Sequence, residues 1–165
     1  MKFFNDCQTL DELKKAYRIA AMKHHPDRGG DTATMQAINS EYEVRFEQLK
    51  HQHNARAAED TSGKTRATSE NAGDFILIVN ELLKLDGIEV ELCGRWLWIS
   101  GDTKPHKDRL KAIGCRWCSK KKLWSWHFEG DGEAFSRGKR TMEQIRNKYG
   151  STRFEKGNYY EVLNG

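Results

Sequence analysis

Apolar residues between Thr9 and Leu49 recur with the spacing of two amphipathic helices. Steps of three and four residues place one set on a single helical face, and this set is Leu10, Leu13, Tyr17, Ala20 and His24. A second set with the same spacing is Met35, Ile38, Tyr42, Phe46 and Leu49. Pro26 ends the first helix, because a residue that precedes proline disfavours the α region. Two such helices with a short connection predict an antiparallel hairpin.

The pattern changes between His51 and Gly73, where no apolar residue is larger than alanine. Such a stretch buries too little surface to offset the conformational entropy lost on ordering. We therefore predict a first domain over residues 1–52, a flexible linker over 53–73 and a second domain over 74–150. Residues 151–165 show no clear pattern and are expected to form a tail.

The second domain mixes both kinds of periodicity, and the chain as a whole is therefore expected to be α+β. Residues 74–85 are predicted to be helical, and Ile88, Val90 and Leu92 alternate as in a strand. Further elements are expected as follows: a partner strand after the Gly94-Arg95 turn, a short helix over 104–113, a hairpin over 116–128 and a helix over 141–149.

Charge and aromatic residues divide the chain of 165 residues unevenly. The net charge is +4, yet residues 1–50 hold eight residues of each sign, whereas residues 88–150 hold 14 basic and eight acidic ones. All five tryptophans lie between Trp96 and Trp126. The longest apolar run, Phe75 to Val79, is too short to cross a bilayer, and the N-terminus lacks the apolar core of a signal peptide. We therefore expect a cytoplasmic protein with four reduced cysteines.

The connection between the two helices reads His25-Pro26-Asp27, after a basic helix with a Tyr-Arg pair and before a helix with the pattern Ile-Asn-x-x-Tyr. Over residues 9–50 the sequence resembles the J domains of co-chaperones that act with DnaK-type heat-shock ATPases. The Arg-Gly-Gly-Asp that follows is similar to the compact J domains of viral, phage and mobile-element proteins. One departure is clear, since about eight residues precede Thr9 and the usual first helix looks truncated or absent; Phe3 and Phe4 are candidates to cap the hairpin instead.

The resemblance implies a docking surface for the chaperone and stimulation of its ATPase. The residues to which it carries this role are His25, Pro26 and Asp27, together with Lys14, Lys15, Arg18, Lys23 and Arg28. Proline fixes φ and presents the tip with little ordering cost, and the lysines form a positive face that suits an acidic partner. The alternative treats this face as a solvated helix surface and the triplet as an ordinary turn. No nucleophile with a helper base or metal cluster lies nearby, so we predict no enzyme activity, no metal and no cofactor.

The second domain interleaves bases with aromatic rings, a composition that suits single-stranded nucleic acid. The residues assigned to this alternative function are Lys107, Arg109, Lys111, Arg116, Lys120, Lys121, Lys122 and Trp124. It would make the chain a nucleic-acid-binding accessory protein of a phage or mobile element. The competing interpretation places most tryptophans in the core of a small sheet, with Trp124 as the most exposed of them.

The pair Cys115 and Cys118 also raises the question of zinc, with Cys93 and His127 as further ligands. A strong zinc signal needs two close pairs of ligands, and here there is one. We therefore favour reduced structural thiols.

Overall fold

The computed structural model describes residues 2–128, 140–155 and 158–160. The described residues form two compact units, the first ending at Lys84 and the second beginning at Leu85. The first unit is helical and the second is built around an antiparallel sheet, so the α+β class is confirmed. None of the described helices is long and apolar enough to cross a membrane.

The two predicted helices of the hairpin are present as α1 (Leu10–His24) and α2 (Thr32–Glu59). Thr9 caps α1 by accepting a hydrogen bond from the amide of Glu12, at 3.2 Å. Asp31 caps α2 in the same way through Thr34, at 2.8 Å. These caps satisfy backbone donors that have no partner within the helix. The predicted stripe of α2 is fully buried, whereas α1 buries Ala21 in place of the expected Ala20.

A third helix, α3 (Ala72–Leu83), completes the first unit. Its Phe75 ring lies 6.0 Å from the rings of both Tyr17 and Tyr42, which joins it to the core of the hairpin. The buried residues of α3 are Ala72, Phe75, Ile76, Ile78, Val79 and Leu82. The structure therefore differs from the expected boundary at residue 74, because the apolar face of this helix has its partner surface on α1 and α2.

The segment expected to be a linker is held by polar contacts that the apolar pattern does not reveal. Its first residues continue α2, which reaches Glu59. The Asn54 side chain exchanges two hydrogen bonds with the backbone of Thr68, at 2.8 and 3.0 Å. Thr68 and Glu70 are buried. Ordering of this segment thus rests on polar pairing and one buried charge, not on apolar burial.

The described residues of the second unit form six strands in the order β3-β4-β2-β1-β5-β6. The strands are β1 (Ile88–Cys93), β2 (Trp96–Gly101), β3 (Arg116–Cys118), β4 (Leu123–Trp126), β5 (Thr152–Glu155) and β6 (Asn158–Tyr160). The predicted β1–β2 and β3–β4 hairpins are confirmed, with Gly94 at φ 57° in the first turn. Two helices, α4 (Lys107–Ala112) and α5 (Met142–Tyr149), complete this unit.

The tail prediction for residues 151–165 is wrong at its start, because β5 pairs with β1 in antiparallel register. A buried charge on β1 helps to explain this pairing. Glu91 accepts two hydrogen bonds from Arg146 of α5, at 2.6 and 2.8 Å, and another from Ser151. Burial raises the pKa of Glu91, but these hydrogen bonds outweigh it and hold that pKa below its usual value. The carboxylate is therefore ionised and ties α5 and the start of β5 to the sheet.

Candidate functional site

The His25-Pro26-Asp27 triplet forms a compact tip between α1 and α2. His25 is extended (φ −65°, ψ 132°), so α1 stops before the proline as predicted, and Pro26–Arg28 forms a single 3₁₀ turn. The His25 carbonyl accepts hydrogen bonds from the amides of Arg28 and Gly30, at 2.9 and 3.0 Å. His25 Nδ1 accepts a further one from the amide of Asp27, at 3.2 Å. The triplet is thus fixed by its own backbone.

Two glycines after the triplet allow this geometry. Gly29 has a positive φ of 84°, a conformation that side chains with a Cβ rarely adopt. A Cβ on Gly30 would overlap the backbone carbonyl of His24. The positive φ thus favours glycine at position 29, and the close approach of the chain to the end of α1 requires glycine at position 30.

His25 is buried, with 5% of its surface exposed, whereas Pro26 and Asp27 are exposed. We expected all three residues at the surface, and for His25 this was wrong. Because Nδ1 accepts a hydrogen bond, the neutral ring carries its proton on Nε2. Burial lowers the pKa of His25, the positive charges of Lys84 and Arg28 lower it further, and Asp27 opposes them. The ring therefore supports the tip as a neutral group.

The basic face of α1 is less accessible than the predicted docking face requires. Lys14 is buried, pairs with Glu70 and lies 5.7 Å from the Phe75 ring centroid. Arg18 is also buried, and burial lowers its pKa to about 9. Residues 68–83 cover this side of α1. The basic residues on it are therefore shielded from solvent.

The remaining basic candidates of the predicted docking surface are at least partly exposed. Lys23 is exposed, and Lys15 and Arg28 are half-buried. Together with Pro26 and Asp27 they define what we call the tip surface. The sequence interpretation missed Asn54, Glu70 and Phe75. Their contacts hold the segment that covers part of α1 and leaves its other basic residues at least partly exposed. The apolar run over residues 75–79 was the signal that could have revealed the cover.

The N-terminal residues take part in the first unit without forming a helix. Residues 2–9 contain no helix, and Phe4 is buried against Tyr42 with ring centroids 6.1 Å apart. The amides of Phe3 and Phe4 donate to Glu41, at 2.7 and 3.1 Å. The expectation that these two residues cap the hairpin is confirmed.

In the second unit Trp98 and Trp124 are buried, Trp96 and Trp126 are half-buried, and the prediction that Trp124 is the most exposed tryptophan is wrong. Trp124 is 5% exposed, while its cross-strand neighbour Trp117 is 51% exposed. β3 is the edge strand of the sheet and has β4 as its one neighbour, whereas β4 lies between β3 and β2, so the side chains of β3 are less covered. Of the basic candidates, Lys121 is half-buried and the other six are exposed: Lys107, Arg109, Lys111, Arg116, Lys120 and Lys122.

The cysteines are separate thiols. Cys93 and Cys115 are buried, and burial raises the pKa of each to about 12. Cys118 is half-buried, and His127 lies against Trp96 with ring centroids 3.9 Å apart. Over the described part of the chain, no three residues of His, Cys, Asp or Glu come together as a metal site.

Curated proteins named as DnaJ chaperones resemble this chain over short segments. Chaperone protein dnaJ A6 of Oryza sativa is 59% identical over 34 residues, which is 21% of this chain and 8% of that protein. Chaperone protein DnaJ of Bordetella petrii is 41% identical over 71 residues, 39% of this chain and 17% of that protein. Chaperone protein DnaJ of Acidiphilium cryptum is 48% identical over 69 residues, which is 39% of this chain and 16% of that protein.

The chain thus spans less than a fifth of the length of these relatives. No family model and no solved structure matches it. The similarity concerns the N-terminal region and supports a J domain there. The resemblance to phage and mobile-element proteins is not tested by these relatives and stays a prediction.

Proposed function

We propose that the chain is a J-domain co-chaperone that docks on a DnaK-type heat-shock chaperone through the tip surface and stimulates its ATPase. The observation that carries the proposal is the conformation of the His25-Pro26-Asp27 tip. The triplet is rigidly presented at the end of a basic helix, within a region related to DnaJ proteins. A tip fixed before binding loses little conformational entropy when it binds.

The contact residues and the supporting residues divide according to their burial. We assign contact with the chaperone to Pro26, Asp27 and Lys23, which are exposed, and to Lys15 and Arg28 at their margin. Lys14, Arg18 and His25 are buried, so we assign them to the support of the tip and of α1. The exposed Lys23 beside the tip favours a partner with an acidic surface, because opposite charge steers the encounter.

Hydrolysis would take place on the chaperone, which holds the nucleotide, and the chain would act on it by binding. The Asp27 side chain is 55% exposed and approaches His25 Nδ1 only to 3.9 Å, so its charge is available to a partner. We assign to the second unit the choice of client or of location. The cytoplasmic placement expected from the sequence belongs to this proposal as well.

The test is the binding of the full chain to a DnaK-type chaperone from a bacterial host, measured by biolayer interferometry with ATP and with ADP. We expect the nucleotide to change affinity by about 5- to 150-fold, the range typical of coupled sites, with tighter binding in ATP. Equal affinity in the two nucleotides, or no binding in either, would contradict the proposal.

A further inference from the structure

The most basic part of the second unit is the segment from Lys107 to Lys122. It contains seven basic residues and one acidic residue, Asp108. It comprises α4, the outer strand β3 and the turn that leads into β4. We call its accessible side the α4–β3 surface, and its exposed basic residues are Lys107, Arg109, Lys111, Arg116, Lys120 and Lys122.

Trp117 lies on β3, between the basic residues of α4 and those of the turn along the sequence. Its ring meets Trp124 edge-on, with centroids 5.6 Å apart, and Trp124 in turn is buried. One side of the Trp117 ring is therefore supported by the core, while 51% of the residue remains exposed. An indole that is held on one side and open on the other is a ready platform for stacking.

The basic residues are close to this ring along the chain. Lys120 follows it by three residues, and three extended residues span at most about 11 Å. Arg116, the residue before it in β3, points to the opposite face of the strand, and the turn after β3 ends at Lys122, which adopts a positive φ of 53°. Exposed lysines that follow an exposed ring within a few residues match the alternation of phosphates and bases along an unpaired strand.

We propose that the α4–β3 surface binds single-stranded nucleic acid, with Trp117 stacking on a base and the exposed lysines and arginines contacting phosphates. A duplex would be disfavoured, since its base faces are already stacked. The surface differs from the one expected from the sequence, because Trp124 is buried and Lys121 lies over the Trp98 ring, 5.7 Å from its centroid. The inference does not depend on the function proposed for the first unit.

The test uses the full chain and a fluorescein-labelled 20-mer of deoxythymidine, with fluorescence anisotropy as the readout. We expect binding at low salt that weakens steeply as salt rises, because counterions are released from the phosphates. Trp117→Ala should weaken binding by about tenfold or more, the effect of removing one stacked base. Trp117→Phe keeps a ring and should restore most of the affinity.

A matched pair of variants separates local charge from net charge. Lys120→Gln with Lys122→Gln should lower the slope of log affinity against log salt by about 1.4 in magnitude, because each phosphate that a lysine neutralises accounts for roughly 0.7. Lys50→Gln with Lys64→Gln removes the same charge from the first unit and should leave the slope unchanged. No binding at low salt, an equal effect of the two double variants, full affinity of Trp117→Ala, or equal competition by duplex DNA would each overturn the proposal.

Discussion

Each unit carries a cluster of basic residues, yet one cluster is buried and the other is exposed. In the first unit, Lys14 and Arg18 are buried beneath residues 68–83 of the same chain. In the second, Lys120 and Lys122 stay exposed beside an exposed tryptophan. The comparison teaches that a run of lysines on one helix face does not establish a solvent-facing surface. What decides is whether another apolar segment of the chain is available to cover that face.

The tryptophan pair of the second unit should show the largest difference in stability. Trp124→Ala removes a buried ring and should lower the free energy of unfolding by about 3–5 kcal/mol, as for other large aromatic residues of a core. Trp117→Ala removes the exposed member of the same pair and should change it by about 1 kcal/mol at most, since this ring meets the core only edge-on. Urea unfolding followed by circular dichroism measures both, and equal effects would refute this assignment of core and surface.

A lysine from each unit tests the contrast directly. Lys14→Met leaves the Glu70 carboxylate buried without its cation, and breaking a buried pair costs about 3 kcal/mol or more. The double variant Lys14→Met with Glu70→Met should recover most of this loss, because the charge and its partner leave together. Lys120→Met, at an exposed position, should stay within about 0.5 kcal/mol of wild type. A single Lys14 variant as stable as wild type would show that its face is open.

A smaller loss of stability is expected from removing the hydroxyl of Tyr17. It donates to Asn39 at 2.9 Å and accepts from Asn80 of α3 at 3.4 Å. Tyr17→Phe keeps the ring and removes these bonds, which should cost about 1 kcal/mol. Chemical denaturation of this variant gives the value, and Val44→Ala at an exposed position of α2 is a suitable control. An unchanged stability would mean that α3 is not joined to α1 through this hydroxyl.

Much of the structure of the first unit can be predicted from the sequence, and the predictions that were wrong share one physical cause. The spacing of Leu13, Tyr17 and Tyr42 predicts the hairpin because each helix buries one stripe, and Pro26 sets where α1 ends. The cover over Lys14 could not be predicted in this way. It depends on a charge pair between residues 56 positions apart and on a segment whose ordering comes from polar hydrogen bonds.

The second unit is harder to predict because its strands are short. Alternation identifies β1, but the choice between Trp117 and Trp124 as the exposed ring depends on strand order. The strand β5 carries no local apolar signal, and it is placed by the network around Glu91. In both units the sequence does not reveal which distant segment packs against a given helix or strand.

The pH dependence of stability should report the burial of His25 as the smallest effect. The pKa of His25 in the folded chain lies below the unfolded value of 6.5. Below that pH the unfolded chain therefore binds more protons than the folded chain does. The contribution of His25 to the free energy of unfolding is therefore present above pH 6.5 and is lost as pH falls towards the folded pKa. The difference in stability between wild type and His25→Gln should shrink over that window. A difference that is constant between pH 7 and pH 5 would contradict the buried, neutral ring.

The most direct test of the docking proposal is single-turnover ATP hydrolysis by a DnaK-type chaperone in the presence of the full chain. The informative pair of variants is Asp27→Asn and Glu47→Gln. The two side chains are 55% and 54% exposed, so each variant removes one negative charge from a carboxylate of similar exposure. We predict that wild type and Glu47→Gln stimulate hydrolysis equally, and that Asp27→Asn loses the stimulation while its unfolding curve stays that of wild type. Full stimulation by Asp27→Asn would contradict docking through the tip.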